Sequence, residues 1–384
     1  MKRMKRLVVL LLTATLLLSL AACGNNTGPA ANSSQPSASS TPSGNADNEK
    51  PKLKELTLSG QPYSHTLPVY IAQKEGMFDK AGLEVELLMF TGGAQQNEAL
   101  GAGEWEIGTM GSPPSITGGK AYGVKVIAFG APDTEAVTIW ARPDSEIAQI
   151  KGEVDGFPDI YGNAANWKGK TILCPTSTSA HFTLIATLKK FGLTSDDVNI
   201  IDMGVAQGYT AFKAGEADIV CLWDPQGFYA DENEDWICIS SGKATGEVMP
   251  TVVVASKEAI EKKPDEVLEW LDTYLQASEK YAKDFDTYAQ LLLDFGIENG
   301  LQLDYDIAYK SAVKRPLPTL DDEIEWFSGA KGNRYADKVM ENLMDFFVYT
   351  GSIEESDKQN LISNGFIDGS FVEKLAERYN KSMK

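Results

Sequence analysis

The chain has 384 residues, with 54 acidic and 35 basic side chains and a formal net charge of −19 at pH 7. A surface this acidic argues against nucleic acid as a partner and against electrostatic attachment to anionic lipid. Four cysteines and two histidines, at no spacing that suits zinc, argue against a metal site.

Met1 to Ala22 combines a basic start (Lys2, Arg3, Lys5, Arg6) with an apolar run from Leu7 to Leu20, the pattern of a secretory signal. It closes on Leu20-Ala21-Ala22-Cys23-Gly24, which resembles a bacterial lipobox. In such proteins the cysteine, here Cys23, becomes the lipidated first residue of the mature chain. Loss of the four basic residues takes the net charge from −19 to −23, so membrane contact is expected through the lipid alone. Residues 23–52 follow as lipidated Cys23 and a flexible tether: Asn25 to Lys50 is Ser, Asn, Pro, Ala, Gly and Thr with almost nothing to bury. Some 27 such residues reach about 30 Å.

Roughly 330 residues remain, enough for two sizeable lobes. Leu56 to Ser59 is a first strand, left by the loop Gln61-Pro62-Tyr63-Ser64-His65. A short helix over Val69 to Glu75 stops at Gly76, and Leu83 to Met89 alternates as a second strand. Val124 to Gly130 is another strand, ending in Ala131-Pro132-Asp133-Thr134, and Val137 to Ala141 is read as a crossing strand. Ile150 to Trp167, rich in Gly and Asp, reads as a surface insertion. Thr171 to Cys174 is a strand, and Thr176-Ser177-Thr178-Ser179 opens a helix that runs through Phe191 to Gly192. Val198 to Ile201 is a strand and Thr251 to Ala255 a return strand. From Lys257 onward the pattern is helical, with Trp, Phe and Leu stripes that read as core. Cys174 and Cys221 lie in apolar strand patterns as buried thiols; with Cys238 they make an odd number, so at least one is unpaired.

One stretch occurs twice. Residues 90–113 (FTGGAQQNEALGAGEWEIGTMGSP) match residues 202–225 (DMGVAQGYTAFKAGEADIVCLWDP) at an offset of 112 without a gap. Gly92, Ala94, Gln95, Ala99, Ala102, Gly103, Glu104, Ile107 and Pro113 pair with Gly204, Ala206, Gln207, Ala211, Ala214, Gly215, Glu216, Ile219 and Pro225. Each copy parses as turn, helix, glycine stop, strand and proline turn. That is a unit of a parallel sheet, which places ligands at the carboxyl ends of strands. Two copies suggest two α/β lobes facing across a cleft.

Further stretches carry a family resemblance: Leu67-Pro68-Val69-Tyr70-Ile71-Ala72 with Gly76-Met77-Phe78, Gly82-Leu83-Glu84-Val85-Glu86, Ala99-Leu100 with Ala102-Gly103-Glu104, Thr176 to His181, and Ala214 to Asp218 through Trp223-Asp224-Pro225. In this order the chain from about 55 to 384 resembles the nitrate, sulfonate, taurine and thiamine-precursor group of substrate-binding proteins of ABC importers. The resemblance implies an α/β, type II periplasmic-binding fold with two lobes joined by two crossover strands. Lobe I would be 53–135 plus 250–384, and lobe II 136–249. It also implies a monomer on the outer face of the cytoplasmic membrane, without cofactor, that closes on a small molecule for an ABC permease and its ATPase.

In that fold the ligand meets strand-end loops and helix N-termini, which offer free N–H groups. Three helix starts suit an oxyanion: Thr91, Gly92, Gly93 and Ala94; Ser112, Pro113, Pro114 and Ser115, with Gly111 before them; and Thr176, Ser177, Thr178 and Ser179. Tyr63 and Trp223 are candidate aromatic walls, and Gln61, His65, Thr134, His181 and Gln207 candidate polar contacts. No Arg or Lys falls in the expected cleft loops, whereas Asp133, Glu135, Asp202 and Asp224 do. With Asp133 and Asp224 among the contacts, a zwitterion, an amine-bearing pyrimidine or a weakly charged sulfonate fits better than phosphate.

A eukaryotic relative of this fold makes the thiamine pyrimidine with a cysteine-rich stretch and histidines. The present chain has no clustered cysteines, no Gly-x-Ser-x-Gly elbow, no phosphate-binding Gly-x-x-x-x-Gly-Lys loop and no Cys-x-x-Cys, so no enzyme activity is expected. A receptor that presents its ligand to a sensor kinase or chemoreceptor would use the same closed lobes as a transporter component.

Overall fold

The computed structural model describes residues 53–383; the expected signal, lipidated cysteine and tether lie outside them. Ten strands are β1 (Lys54–Gly60), β2 (Leu83–Met89), β3 (Ile107–Gly111), β4 (Lys125–Pro132), β5 (Thr138–Ala141), β6 (Thr171–Cys174), β7 (Asn199–Asp202), β8 (Ile219–Leu222), β9 (Ile237–Ser241) and β10 (Pro250–Ala255). They form two five-stranded sheets, ordered β2-β1-β3-β10-β4 and β7-β6-β8-β5-β9. In each sheet the fourth strand runs antiparallel: β10 against β3 and β4, and β5 against β8 and β9. Each of these two strands directly follows a crossover from the other sheet. The architecture is therefore α/β with two lobes joined by two crossovers.

The sequence repeat is a structural repeat. The helix Gly93–Gly101 and the helix Val205–Lys213 start 112 residues apart, as do β3 and β8. β3 sits between β1 and β10, and β8 between β6 and β5, so the copies hold equivalent places in their sheets. Gly103 (φ +76°) and Gly215 (φ +91°) follow these helices in the left-handed conformation that a side chain with Cβ resists.

The central strands are covered on both faces. β10 is buried at all six positions of Pro-Thr-Val-Val-Val-Ala, and β8 at all four of Ile-Val-Cys-Leu. Continuous apolar runs of this kind are what a doubly covered strand needs. Cys174 and Cys221 are buried in the neighbouring strands β6 and β8, and Cys238 is half-buried; all three are free thiols. Burial pushes Cys174 well above the ordinary thiol range, and Cys238 to about 12.

The C-terminal helices complete the first lobe. The helix Pro264–Tyr281 buries Val267, Trp270, Leu271, Tyr274 and Leu275 on one stripe. Each large side chain contributes about 1.5–3 kcal/mol by leaving water. The 150–167 segment lies largely at the surface and is tied down at a few points. Lys151 bridges to Tyr161, the Tyr161 N–H donates to the Ile239 carbonyl at 2.9 Å, and Ile160 and Trp167 are buried. These two apolar side chains anchor a segment that is otherwise largely exposed. β9 is also new: Ile237 and Ile239 alternate with Cys238 and Ser240, too short a run to be singled out in the sequence.

Candidate functional site

A cavity of about 70 Å³ lies between the two lobes, lined by Gln61, Tyr63, His65, Gly92, Gly93, Gly111, Pro114, Asp133, Thr178, Ser179, Trp223 and Arg315. The first lobe supplies the loop after β1 and the turns at Gly92 and Gly111. The second supplies the start of the helix Ser179–Lys190 and the end of β8. Asp133 stands on the crossover between β4 and β5, where its N–H donates to the Met249 carbonyl at 2.7 Å.

The loop after β1 is set by a buried amide network. Gln61 Nε2 donates to Gln96 Oε1 at 2.6 Å, and Gln96 Nε2 donates to Ser59 Oγ and the Thr109 carbonyl at 3.1 and 3.0 Å. The Gln61 N–H donates to Thr66 Oγ1 at 3.0 Å, and Tyr274 donates to the His65 carbonyl at 2.9 Å. The loop is thereby pinned from below. Above it, His65 is only 3% exposed and neither ring nitrogen has a partner in the protein. Burial drives the His65 pKa well below its ordinary value, with Arg315 adding to the effect, so the ring is neutral.

Two helix N-termini face this cavity, one from each lobe. The helix Gly93–Gly101 is preceded by Gly92, which has no side chain to cap it. The helix Ser179–Lys190 is preceded by Thr178, whose hydroxyl donates to the Pro175 carbonyl at 2.7 Å instead of accepting from the first turn. Both first turns keep free N–H donors for an anionic group. The third expected helix start differs. Pro113 and Pro114 occupy the first turn of the helix Ser112–Tyr122 and remove two N–H groups, so this helix contributes the Pro114 ring.

The expectation of a cleft without Arg or Lys is overturned by Arg315. It is 3% exposed and follows the helix Tyr305–Lys314, and its carbonyl accepts from Tyr288 at 2.8 Å. Its Nη1 donates to Asp224 Oδ1 at 2.5 Å, and its Nη2 to Asp133 Oδ1. Ser311 donates to the other Asp224 oxygen at 2.6 Å. Burial alone would lower the Arg315 guanidinium, but Asp133 and Asp224 hold it above its ordinary value. Burial pushes Asp133 up to about 6; Arg315 and Ser179 pull it down, and Asp224 pushes it further up. One cation between two carboxylates leaves a net negative charge when both are ionised. The remaining expected acids are also engaged: Glu135 pairs with Lys243 and Lys314 at 3.0 Å each, and Asp202 accepts from the Thr176 N–H at 2.9 Å.

The remaining expected contacts lie away from the cavity lining. Thr91 and Gln207 are exposed, while Ser112 and Pro113 are buried behind Gly111 and Pro114. Ser177 is exposed at φ +58°, with its N–H on His181 Nδ1 at 3.2 Å, and the His181 ring meets the Phe346 edge at 5.4 Å. Thr176 is tied to Asp202, Thr134 accepts from the Met249 N–H, and Asp224 is taken up by Arg315 and Ser311. Among the described residues no group of three or more His, Cys, Asp or Glu is placed to hold a metal ion. A larger groove of about 890 Å³ runs beside Trp326 and Tyr335, but the unpartnered buried His65 nitrogens and the two uncapped helices belong to the interlobe cavity.

Residues 63–286 match the model of a family described as NMT1/THI5 like, over more than half of the chain. The chain belongs to the NMT1/THI5-like family. A protein of Brachyspira hyodysenteriae named as an ABC transporter periplasmic binding protein is 30% identical over 267 residues, 70% of this chain and 77% of the relative. A Bacillus subtilis protein named as an aliphatic sulfonates-binding protein is 25% identical over 255 residues, 65% of this chain and 72% of the relative. The crystal structure of the periplasmic aliphatic sulphonate binding protein SsuA from Escherichia coli superposes with a TM-score of 0.63 at 18% identity, over 78% of this chain and 89% of that one. The NMT1/THI5-like match ends before Arg315.

Arg315 is the lining residue that sequence reasoning missed, whereas Pro114 belonged to an expected helix start. Arg315 follows an amphipathic helix, where a basic residue usually serves only the helix end, and its partners lie 182 and 91 residues away. In this NMT1/THI5-like chain the fit at Gly93 is equally tertiary: a Cβ there would lie 2.3 Å from Pro114 Cγ, a ring that cannot swing aside. Gly93→Ala is expected to cost about 1–3 kcal/mol of stability through overpacking. It should also weaken ligand binding at least tenfold in calorimetric titration. Unchanged affinity would show that this wall does not meet the ligand.

Proposed function

We propose that the chain is the extracytoplasmic solute-binding component of an ABC importer. It closes its two lobes on a small organic or oxyanionic ligand of the sulfonate, taurine or nitrate kind and presents it to the permease. The observation that carries this reading is the pair of uncapped helix N-termini, Gly92–Gly93 and Thr178–Ser179, meeting on one cavity from opposite lobes. Each offers N–H donors and a partial positive charge to an anionic group, and both reach it only when the lobes are together. On the same reading residues 53–135 with 250–384 form lobe I and residues 136–249 lobe II. Cys23 would carry the lipid that holds the chain to the outer face of the cytoplasmic membrane, as a monomer.

Tyr63, His65 and Trp223 around the cavity support a second reading, an amine-bearing aromatic such as a thiamine-precursor pyrimidine. The Trp223 indole N–H has no acceptor in hydrogen-bonding geometry, although it lies close enough to Tyr63 to oppose the rise that burial causes in that phenol. Catalysis is disfavoured by the thiols: Cys174 and Cys221 are sealed in the second sheet, outside the cavity lining.

A thermal-shift screen of the soluble chain from about Glu49 tests both readings. It would cover alkylsulfonates, taurine, nitrate, pyrimidines, amino acids and aromatic carboxylates. A ligand at about 100 times its Kd should add about 2.7 kcal/mol and raise Tm by several degrees. No shift with any of them would reject the proposed ligand classes.

A further inference from the structure

We infer that the interlobe cavity selects a ligand that brings an amine or other cationic, proton-donating nitrogen to Asp133, and that Arg315 positions this carboxylate instead of receiving the ligand's anionic group. The inference rests on the solute-binding reading and narrows it. Both terminal nitrogens of Arg315 are already committed, one to Asp224 and one to Asp133. Only its Nε is left without a partner. Arg315 thus spends one N–H of each Nη on a buried carboxylate and shares its charge between two of them, which leaves it a weaker grip on a sulfonate or carboxylate than an unpaired guanidinium.

The two acids are not equivalent. Asp224 receives Arg315 on one oxygen and Ser311 on the other, and it lies outside the cavity lining. Asp133 lines the cavity, is 7% exposed, and receives Arg315 on Oδ1; its other neighbour, the Ser179 side chain, itself lines the cavity. The unbalanced negative charge of the triad therefore faces the ligand through Asp133. Tyr63 and Trp223 stand on the same cavity, and their ring faces also favour a cation. The helix starts at Gly93 and Ser179 receive any anionic end. A ligand with an acid group and no basic nitrogen would satisfy the helix starts and be repelled by Asp133. One that carries both would match both ends.

Matched pairs differing by one amino group test this on the unmodified chain: ethanesulfonate against 2-aminoethanesulfonate, propanoate against 3-aminopropanoate, and 2-methylpyrimidine against 4-amino-2-methylpyrimidine, by calorimetric titration at pH 7.5. The amino member should bind about tenfold tighter or better in at least one pair, with no reverse preference in the others. In Asp133→Asn that preference should fall to about threefold or less. Tighter binding of ethanesulfonate or propanoate than of their amino partners would overturn the inference and leave the solute-binding reading standing. A preference that survives Asp133→Asn unchanged would also overturn it. If Asp133→Asn fails to fold, Ser311→Ala replaces it: it loosens Asp224 and leaves Asp133 in place, so the preference should persist, and its loss would move the selecting charge to Asp224. Absence of binding by all six probes would overturn the inference, while a thermal shift with nitrate or an aromatic carboxylate in the wider screen would leave the solute-binding reading standing.

Discussion

Arg315→Met is expected to destabilise the folded chain by about 3–5 kcal/mol at neutral pH, the usual cost of removing one partner from a buried ion pair. The site makes this severe. Arg315 is 3% exposed and is shared between Asp133 and Asp224, so its loss leaves two carboxylates buried together with no cation between them. Part of the cost is recoverable by proton uptake, because Asp133 already titrates near 6 with the guanidinium present. The destabilisation should therefore shrink as pH is lowered toward 5. Combining Arg315→Met with Asp133→Asn and Asp224→Asn should restore much of the loss, since neutral groups of the same size replace the stranded charges. Urea titration followed by circular dichroism measures all of these variants. A midpoint for Arg315→Met within error of the unmodified chain would show that the triad contributes nothing to the fold.

The second large effect is a pH dependence. An Asp in the unfolded chain titrates near 3.8, while burial raises Asp133 to about 6 in the folded one. Between these values the folded state binds the extra proton. The associated stability is fully present below about 3.8 and is lost as pH rises through 6. A shift of this size corresponds to about 3 kcal/mol. Asp133→Asn cannot titrate there. The unmodified chain should thus lose about 3 kcal/mol relative to Asp133→Asn between pH 3.8 and pH 7. The other ionisable groups near Asp133 do not mimic this slope. Arg315 stays charged and the Tyr63 phenol is raised by burial; His65, held neutral in the fold, opposes the slope because the unfolded chain takes up its proton near 6.5, and this contribution is common to both chains and cancels in their difference. A flat difference across this window would place Asp133 at an ordinary carboxylate pKa and make the triad simply anionic at pH 5.

Local pattern carried a large part of the architecture. The 112-residue repeat, read from small residues, glycine stops and proline turns, marked equivalent places in two sheets before either sheet was known. β6 appears at the residues expected of it, Thr171–Cys174, and the cavity collects Gln61, Tyr63, His65, Gly92, Gly93, Gly111, Asp133, Thr178, Ser179 and Trp223 from strand-end turns and helix starts. These features are legible because turn chemistry, helix starts and strand periodicity are properties of a few neighbouring residues.

Tertiary structure decided the electrostatics. Asp133, Glu135, Asp202 and Asp224 read in sequence as a row of loop acids, but each has a partner supplied from elsewhere in the chain: Arg315, Lys243 and Lys314, the Thr176 N–H, and Arg315 with Ser311. Whether Thr178 caps its helix and whether His65 is charged also turned on the folded structure. The physical reason is common to these cases. A turn is specified by adjacent dihedral angles, whereas a buried charge is specified by whichever group the fold brings within about 3 Å, and sequence separation places no limit on that.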